Sequence, residues 1–239
     1  MTDILTVENL ASSYGEIRVV HDISFSVAGG QVVALLGRNG AGKTTVLRAI
    51  SGLNPISSGS VTLLGRPMNH LPVYKRVEQG IAYVQEGKRV FKELTVEQNL
   101  MLGGYAAKAN RATVARDIQA AYERFPILGQ RQKSSASALS GGQQQMLAIA
   151  QALISKPKVL LLDEPSGGLA PSIVGEVLDI VRGLVAEGLS VVLVEQAVNF
   201  ALSIADHVLV MDLGRCVLSE PAGTENLGSK IEDAYFAAA

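Results

Sequence analysis

The stretch 37-GRNGAGKTT-45 decides how the rest of the chain is read. It matches G-x-x-x-x-G-K-[ST], with Gly37, Gly42, Lys43 and Thr44 in the required places. That is the pattern of a loop that cradles phosphates. Glycines let the backbone wrap closely about an anion. Successive N–H groups and the positive end of the following helix then hold it. The pattern carries weight only between a strand and a helix. Upstream, 31-QVVALLG-37 is an apolar run too short for a helix and suited to a strand buried on both faces. Downstream, 43-KTTVLRAISGL-53 has helical spacing and stops near Gly52 and Pro55. On this reading Lys43 reaches the β- and γ-phosphates of ATP, and the Thr44 hydroxyl ligates Mg²⁺. The nucleotide loop comprises Gly37, Arg38, Asn39, Gly40, Ala41, Gly42, Lys43, Thr44 and Thr45.

A second apolar run, 159-VLLLDEP-165, ends in two carboxylates. Alone it reads equally well as a core strand with a solvated acidic end. Beside a phosphate loop the reading changes, because ligands of open α/β sheets bind at the carboxyl ends of strands. Asp163 is then expected near Mg²⁺, and Glu164 near the γ-phosphate, where it orients and polarises the attacking water.

A third stretch, 139-LSGGQ-143, stands at the mouth of a long run without Gly or Pro. Helix N-termini expose unsatisfied N–H groups and partial positive charge. Ser140, Gly141 and Gly142 are expected to leave that end unobstructed, with Gln143 beside them, so that it holds a second anion. One nucleotide does not need two phosphate-binding helix ends from one subunit. The stretch therefore reads as a clamp on ATP bound to a second copy, with a plain serine N-cap followed by a glycine loop as the equal alternative.

Around these motifs the chain predicts an α/β fold with a mostly parallel sheet and a helical insertion. Residues 4–27 read as short strands about a turn at 14-YGE-16, with further strands at 60–65, 80–85, 158–164, 190–196 and 207–212. Helices are expected over 172–187 and 197–204, and a short amphipathic one over 229–238. The insertion, about 92–155, is helical apart from loops expected at 126–129 and 134–142. Of the 239 residues 48% are hydrophobic, enough for a full core. A net charge of -1 argues against bulk nucleic-acid binding. The single cysteine, Cys216, suits a reducing compartment. MTDILTVENL reads as no signal peptide, and no apolar run approaches the ~20 residues of a spanning helix. A soluble chain held at a membrane only by partners is the expectation.

With phosphate loop, LSGGQ and VLLLDEP in this order, the chain resembles the ATP-binding subunits of ABC transporters over essentially its whole length. The resemblance implies one P-loop NTPase domain of ABC type, with N-terminal antiparallel strands. Its RecA-like core spans about 1–91 and 156–239, and a helical subdomain about 92–155. It further implies an Mg²⁺-dependent ATPase that pairs with a second ATP-binding subunit, two ATPs being sandwiched head to tail. The other partners implied are two transmembrane permeases and, indirectly, a solute-binding protein, at the cytoplasmic face of the inner membrane. Tyr14 resembles the aromatic residue that stacks on adenine.

Three places depart from the usual pattern. A glutamine expected near Mg²⁺ after the strand at 81–84 meets 84-VQEGKRVF-91, where Glu86 occupies its place and Gln85 is adjacent. Ala170 stands where an aspartate is usual, and Gln196 where a histidine senses the γ-phosphate. Gln donates a hydrogen bond but is no general acid near neutral pH. Together with an EDAYF-like tail these departures resemble the F-type ATP-binding subunit of LIV-type importers of branched-chain amino acids. Importers of urea or short amides are a related alternative, and a soluble ABC ATPase outside transport a more distant one.

Overall fold

The protein is described by a computed structural model covering residues 2–106 and 110–237. Two long antiparallel strands, β1 (Asp3–Tyr14) and β2 (Ile17–Ala28), flank the expected turn. They are followed by β3 (Val32–Leu36), α1 (Lys43–Ser51), β4 (Ile56–Leu63), the two-residue β5 (Arg66–Pro67), α2 (Val73–Gln79) and β6 (Ile81–Val84). Then come α3 (Val96–Ala106), α4 (Arg111–Arg124), α5 (Pro126–Gln130), a 3-10 turn (Ala136–Ala138) and α6 (Gly141–Leu153). The chain ends with β7 (Val159–Asp163), α7 (Pro171–Ala186), β8 (Ser190–Glu195), α8 (Val198–Leu202), β9 (His207–Asp212), β10 (Arg215–Pro221) and α9 (Leu227–Ala237).

The strands form two sheets. An antiparallel sheet has the order β2-β1-β4-β5, and a six-stranded sheet the order β10-β9-β3-β8-β7-β6. In the second sheet β6, β7, β8, β3 and β9 run parallel, and β10 closes one edge antiparallel to β9. The uninterrupted apolar runs have a direct cause. Alternate residues of one strand serve two separate cores. Val33 and Leu35 of β3 pack toward α1 and the antiparallel sheet, with Val159 and Leu161 of β7. Ala34 and Leu36 pack to the other side, with Leu160 and Leu162, where they meet Leu100, Phe125 and Leu147 from the helices between β6 and β7.

Several expectations need correction. Residues 126–129, read as a loop, lie in α5: Pro126 stands at the first helical position, where its fixed φ and missing N–H favour a helix start. The expected loop at 134–142 holds the 3-10 turn and the first residues of α6. Helix α2 and strands β5 and β10 had no strong periodic signal. The helix expected over 229–238 is described to Ala237, and residue 238 lies outside the described residues. No described helix is long and apolar enough to cross a membrane.

Helix α1 is secured from behind by Arg76 of α2, which is 3% exposed. Its Nη1 donates to the carbonyls of Ala49 and Ile50 at 2.7 and 2.8 Å, at the carboxyl end of α1. Nε and Nη2 donate to Leu71 and Asn69 carbonyls at 3.0 and 3.1 Å. Burial holds the guanidinium pKa below its usual value, yet four acceptors compensate the buried charge. It also completes the terminal carbonyls that a helix end leaves open. Arg76→Met keeps the bulk and removes every donor, so it should lower unfolding free energy by about 3 kcal/mol in denaturant titration. An unchanged midpoint would show that solvent replaces the guanidinium.

Candidate functional site

The site forms where β3, β7 and β8 end on the same edge of the sheet. Leu36 pairs with Glu195, and Asp163 with Val194. The loops that follow these strands therefore leave side by side. A cavity of about 260 Å³ lies among them, lined by residues 39–45, Glu86 and Glu164, with Val19. Gly42 enters α1 at φ 98°, a left-handed conformation natural to glycine. A Cβ there would also press on the Val19 carbonyl oxygen at 3.2 Å. No side chain caps α1 at its start, so its first N–H groups point into the loop, which is the geometry that receives an anion.

Lys43 is 4% exposed. Its ammonium donates to the carbonyls of Gly37 and Arg38 at 2.8 and 3.1 Å and lies 3.8 Å from Glu164 Oε1. Burial lowers its pKa, while Glu164, Asp163 and Glu195 pull it back toward the charged form. Asp163, 1% exposed, accepts from Thr44 Oγ1 at 3.0 Å through one oxygen and from Tyr83 Oη at 2.7 Å through the other. Burial raises the Asp163 pKa against these bonds. It also raises that of the Tyr83 phenol, which therefore remains a donor. Thr44 and Asp163 thus present hydroxyl and carboxylate oxygens to the same point. Hard oxygen donors of this kind suit Mg²⁺.

Glu164 follows β7 with φ 46°, an unusual backbone for a side chain of its size. The turn aims its carboxylate across the cavity, where Gln196 Nε2 donates to its Oε1 at 2.8 Å. The same nitrogen donates to Asn39 Oδ1 at 2.6 Å. Gln196 therefore bridges the loop after β3 and the loop after β7. An amide in that position holds the carboxylate without carrying a proton for it.

Other residues singled out from sequence lie around this centre. Glu86 lines the phosphate-loop cavity and also an adjoining one of about 240 Å³, which Gln85, Thr44, Tyr83 and Asp163 line too. Tyr14 ends β1, half-exposed, its hydroxyl accepting from Arg48 Nη1 at 3.3 Å. Ala170 starts α7 without any side-chain cap. Two residues were overlooked in sequence. Tyr83 lies in a strand of otherwise aliphatic residues, and Glu195 directly precedes Gln196. A carboxylate directly after the apolar run 191–194 was the available signal.

The mouth of α6 is formed by Ser140, Gly141, Gly142 and Gln143. Ser140 and Gln143 form a reciprocal capping box: Ser140 Oγ accepts from the Gln143 N–H at 3.3 Å, and Gln143 Oε1 from the Ser140 N–H at 3.0 Å. Gly142 lies against α7. It is buried, and a Cβ on it would collide with Ile173 of α7. Gly141 is exposed, but the Lys88 ammonium stands 3.1 Å from where its Cβ would be. Ile173 thus stands beside Gly142 and the Lys88 ammonium beside Gly141, while Ser140 and Gly141 remain exposed.

Comparison with known proteins agrees with the geometry. Residues 20–167 match the family model described as ABC transporter. Over 233 residues the chain is 43% identical to the high-affinity branched-chain amino acid transport ATP-binding protein BraG of Pseudomonas aeruginosa, covering 98% of this chain and 99% of that protein. It is 37% identical to the probable branched-chain amino acid transport ATP-binding protein LivF of Archaeoglobus fulgidus, with 93% of each covered. A crystal structure of an ATP-binding cassette of an ABC transporter in its ADP conformation superposes with a TM-score of 0.85 at 26% identity, covering 99% of both chains.

The Gly142 contact is directly testable. Gly142→Ala forces the new methyl group into Ile173 and should cost about 1–3 kcal/mol of stability. Adding Ile173→Ala should restore most of it, measured as the coupling in a double-mutant cycle. Additive losses would mean that the glycine serves something other than helix packing.

Proposed function

The chain belongs to the ABC transporter family as an ATP-binding, ATP-hydrolysing protein, and on that premise we propose that it powers an importer of branched-chain amino acids. The observation that carries the enzymatic part is the convergence of Lys43, Thr44 and Glu164 on one cavity at the strand ends, with Asp163 bonded to Thr44 and Gln196 to Glu164 behind them. The solute class rests on the similarity to BraG and LivF, whose names state that transport.

In this proposal the loop over residues 37–45 holds the phosphates, and Lys43 leaves its loop carbonyls to contact the β- and γ-phosphoryl oxygens. Thr44 and Asp163 would hold Mg²⁺, with Gln85 and Glu86 as further candidate ligands. Mg²⁺ supplies charge neutralisation of the transferring phosphoryl group. Glu164 accepts the proton of the attacking water, and Gln196 orients both the carboxylate and the γ-phosphate. Tyr14 stacks on the adenine. Ser140, Gly141, Gly142 and Gln143 face the nucleotide of a second ATP-binding subunit. One domain spans the chain, with its core at about 1–91 and 156–239 and a helical subdomain at about 92–155.

A cleft of about 400 Å³ between the sheet and the helices suits a permease segment. Ala82, Val84 and Gln85 line it on the sheet side, and Leu102, Ala148 and Gln151 on the helix side. Phe91 at its rim is 57% exposed, and Tyr105 on the same helix as Leu102 is 88% exposed. A contiguous exposed apolar patch beside a cleft would suit a protein partner. The chain then works at the cytoplasmic face of the membrane, held there by two permeases.

Lys43→Ala removes a charge-assisted phosphate contact and should weaken ATP binding and abolish turnover. The chain has no tryptophan, so a labelled nucleotide must report the binding. Ser140→Arg should leave ATP binding intact and stop hydrolysis. Mixed with the Lys43 variant, it should recover activity, because one composite site is then whole. Heterodimers that form without activity would overturn the paired arrangement. Deletion of the chain should abolish uptake of labelled leucine. Intact leucine uptake with lost urea uptake would move the solute to the related class.

A further inference from the structure

Glu195 ends β8 and is 2% exposed, yet it contributes nothing to the lining of the phosphate-loop cavity. A carboxylate in such a place is costly unless several donors meet it. Three backbone donors do. Oε1 accepts from the Ser166 N–H at 3.0 Å. Oε2 accepts from the N–H groups of Gln196 and Ala197 at 3.2 and 3.4 Å. Burial raises its pKa despite these bonds.

The two sets of donors belong to different loops. Ser166 lies two residues past Glu164, in the loop after β7, and Gln196 and Ala197 form the turn after β8. Those loops carry the two partners of the 2.8 Å contact between Gln196 and Glu164. The strands themselves are joined only up to Asp163 and Val194, and the Glu164 N–H adds one bond to the Val194 carbonyl. Beyond that point the Glu195 carboxylate is the group that ties the loops by their backbones.

We infer that Glu195 is a positioning residue for ATP hydrolysis: its carboxylate fastens the loop after β7 to the turn after β8 and so holds Glu164 and Gln196 in register with the phosphate loop. A single-oxygen acceptor serves one loop or the other. The two oxygens of a carboxylate serve both, which is what the position requires. The inference rests on the reading of Glu164 as the base.

The test compares Glu195→Gln, Glu195→Asp and Glu164→Gln in the full chain. In Glu195→Gln an amide NH₂ replaces one acceptor, so one loop is turned against a donor. Turnover should fall about 10²-fold, the scale expected when a reacting group is misplaced by about 1 Å, while affinity for labelled ATP stays at the wild-type value. Hydrogen exchange should quicken at the amides of Ser166, Gln196 and Ala197 and not in α1. Glu195→Asp keeps the charge and both oxygens on a shorter arm, so it should recover part of the rate. Wild-type turnover in Glu195→Gln would overturn the inference. So would loss of nucleotide affinity in step with turnover, which marks general damage to the fold. Should Glu195→Gln fail to fold, Glu195→Asp decides alone: wild-type turnover with unchanged exchange at the three amides overturns the inference. Wild-type turnover in Glu164→Gln would instead remove the Glu164 reading, and the premise with it, whatever the Glu195 variants do.

Discussion

The parallel register among β3, β8 and β7 places Leu36 beside Glu195, and Val194 beside Asp163. Everything at the site depends on it. Because side chains alternate along a strand, a slip of one residue would turn Asp163 to the opposite face and carry its carboxylate away from Thr44. The register is protected by two cores at once. Each strand buries alternate residues on both sides, so any slip exchanges the two sets of side chains, which pack against different partners. The loops are thus delivered to one edge by hydrophobic packing that takes no part in the chemistry.

That edge gathers three carboxylates, Asp163, Glu164 and Glu195, about one ammonium, Lys43. Burial resists the charge of Lys43, Asp163 and Glu195 alike, and mutual attraction and hydrogen bonds offset it. A triphosphate arriving there adds negative charge beside these carboxylates. Coulomb energy in a partly buried site makes that sum unfavourable unless further positive charge comes in with the ligand. The helix end and the loop N–H groups answer part of that demand, and the proposed Mg²⁺ at Thr44 and Asp163 would answer more of it.

Much of this was legible in the sequence, for reasons that can be named. The strand before the phosphate loop and the strand before Glu164 are continuous apolar runs because both faces are buried, and such runs are unmistakable beside a glycine-rich loop. What escaped notice depends on contacts between segments distant in sequence. Helix α5 begins at Pro126 and has only five residues, too few to show a period. Gly142 meets Ile173, 31 positions later, a contact that local reasoning at the helix mouth has no means to show. Tyr83 meets Asp163 across 80 positions, and Glu195 meets Ser166 across 29. Their residue types had no local pattern to announce them.

The departures at Gln196 and Ala170 can be understood together. A histidine beside a transferring phosphate could both donate a hydrogen bond and exchange a proton, and a glutamine does only the first. Here the single Nε2 is shared between Glu164 and Asn39, so the residue behaves as a spacer that fixes a distance. The precision it transmits is no better than that of the turn carrying it. That turn is anchored by the Glu195 carboxylate to a loop whose far end, Ala170, offers no side-chain cap to α7. With neither a proton-exchanging histidine nor a capped loop end, alignment of Glu164 falls to buried backbone bonds, and a buried carboxylate is the group with enough acceptors to make them.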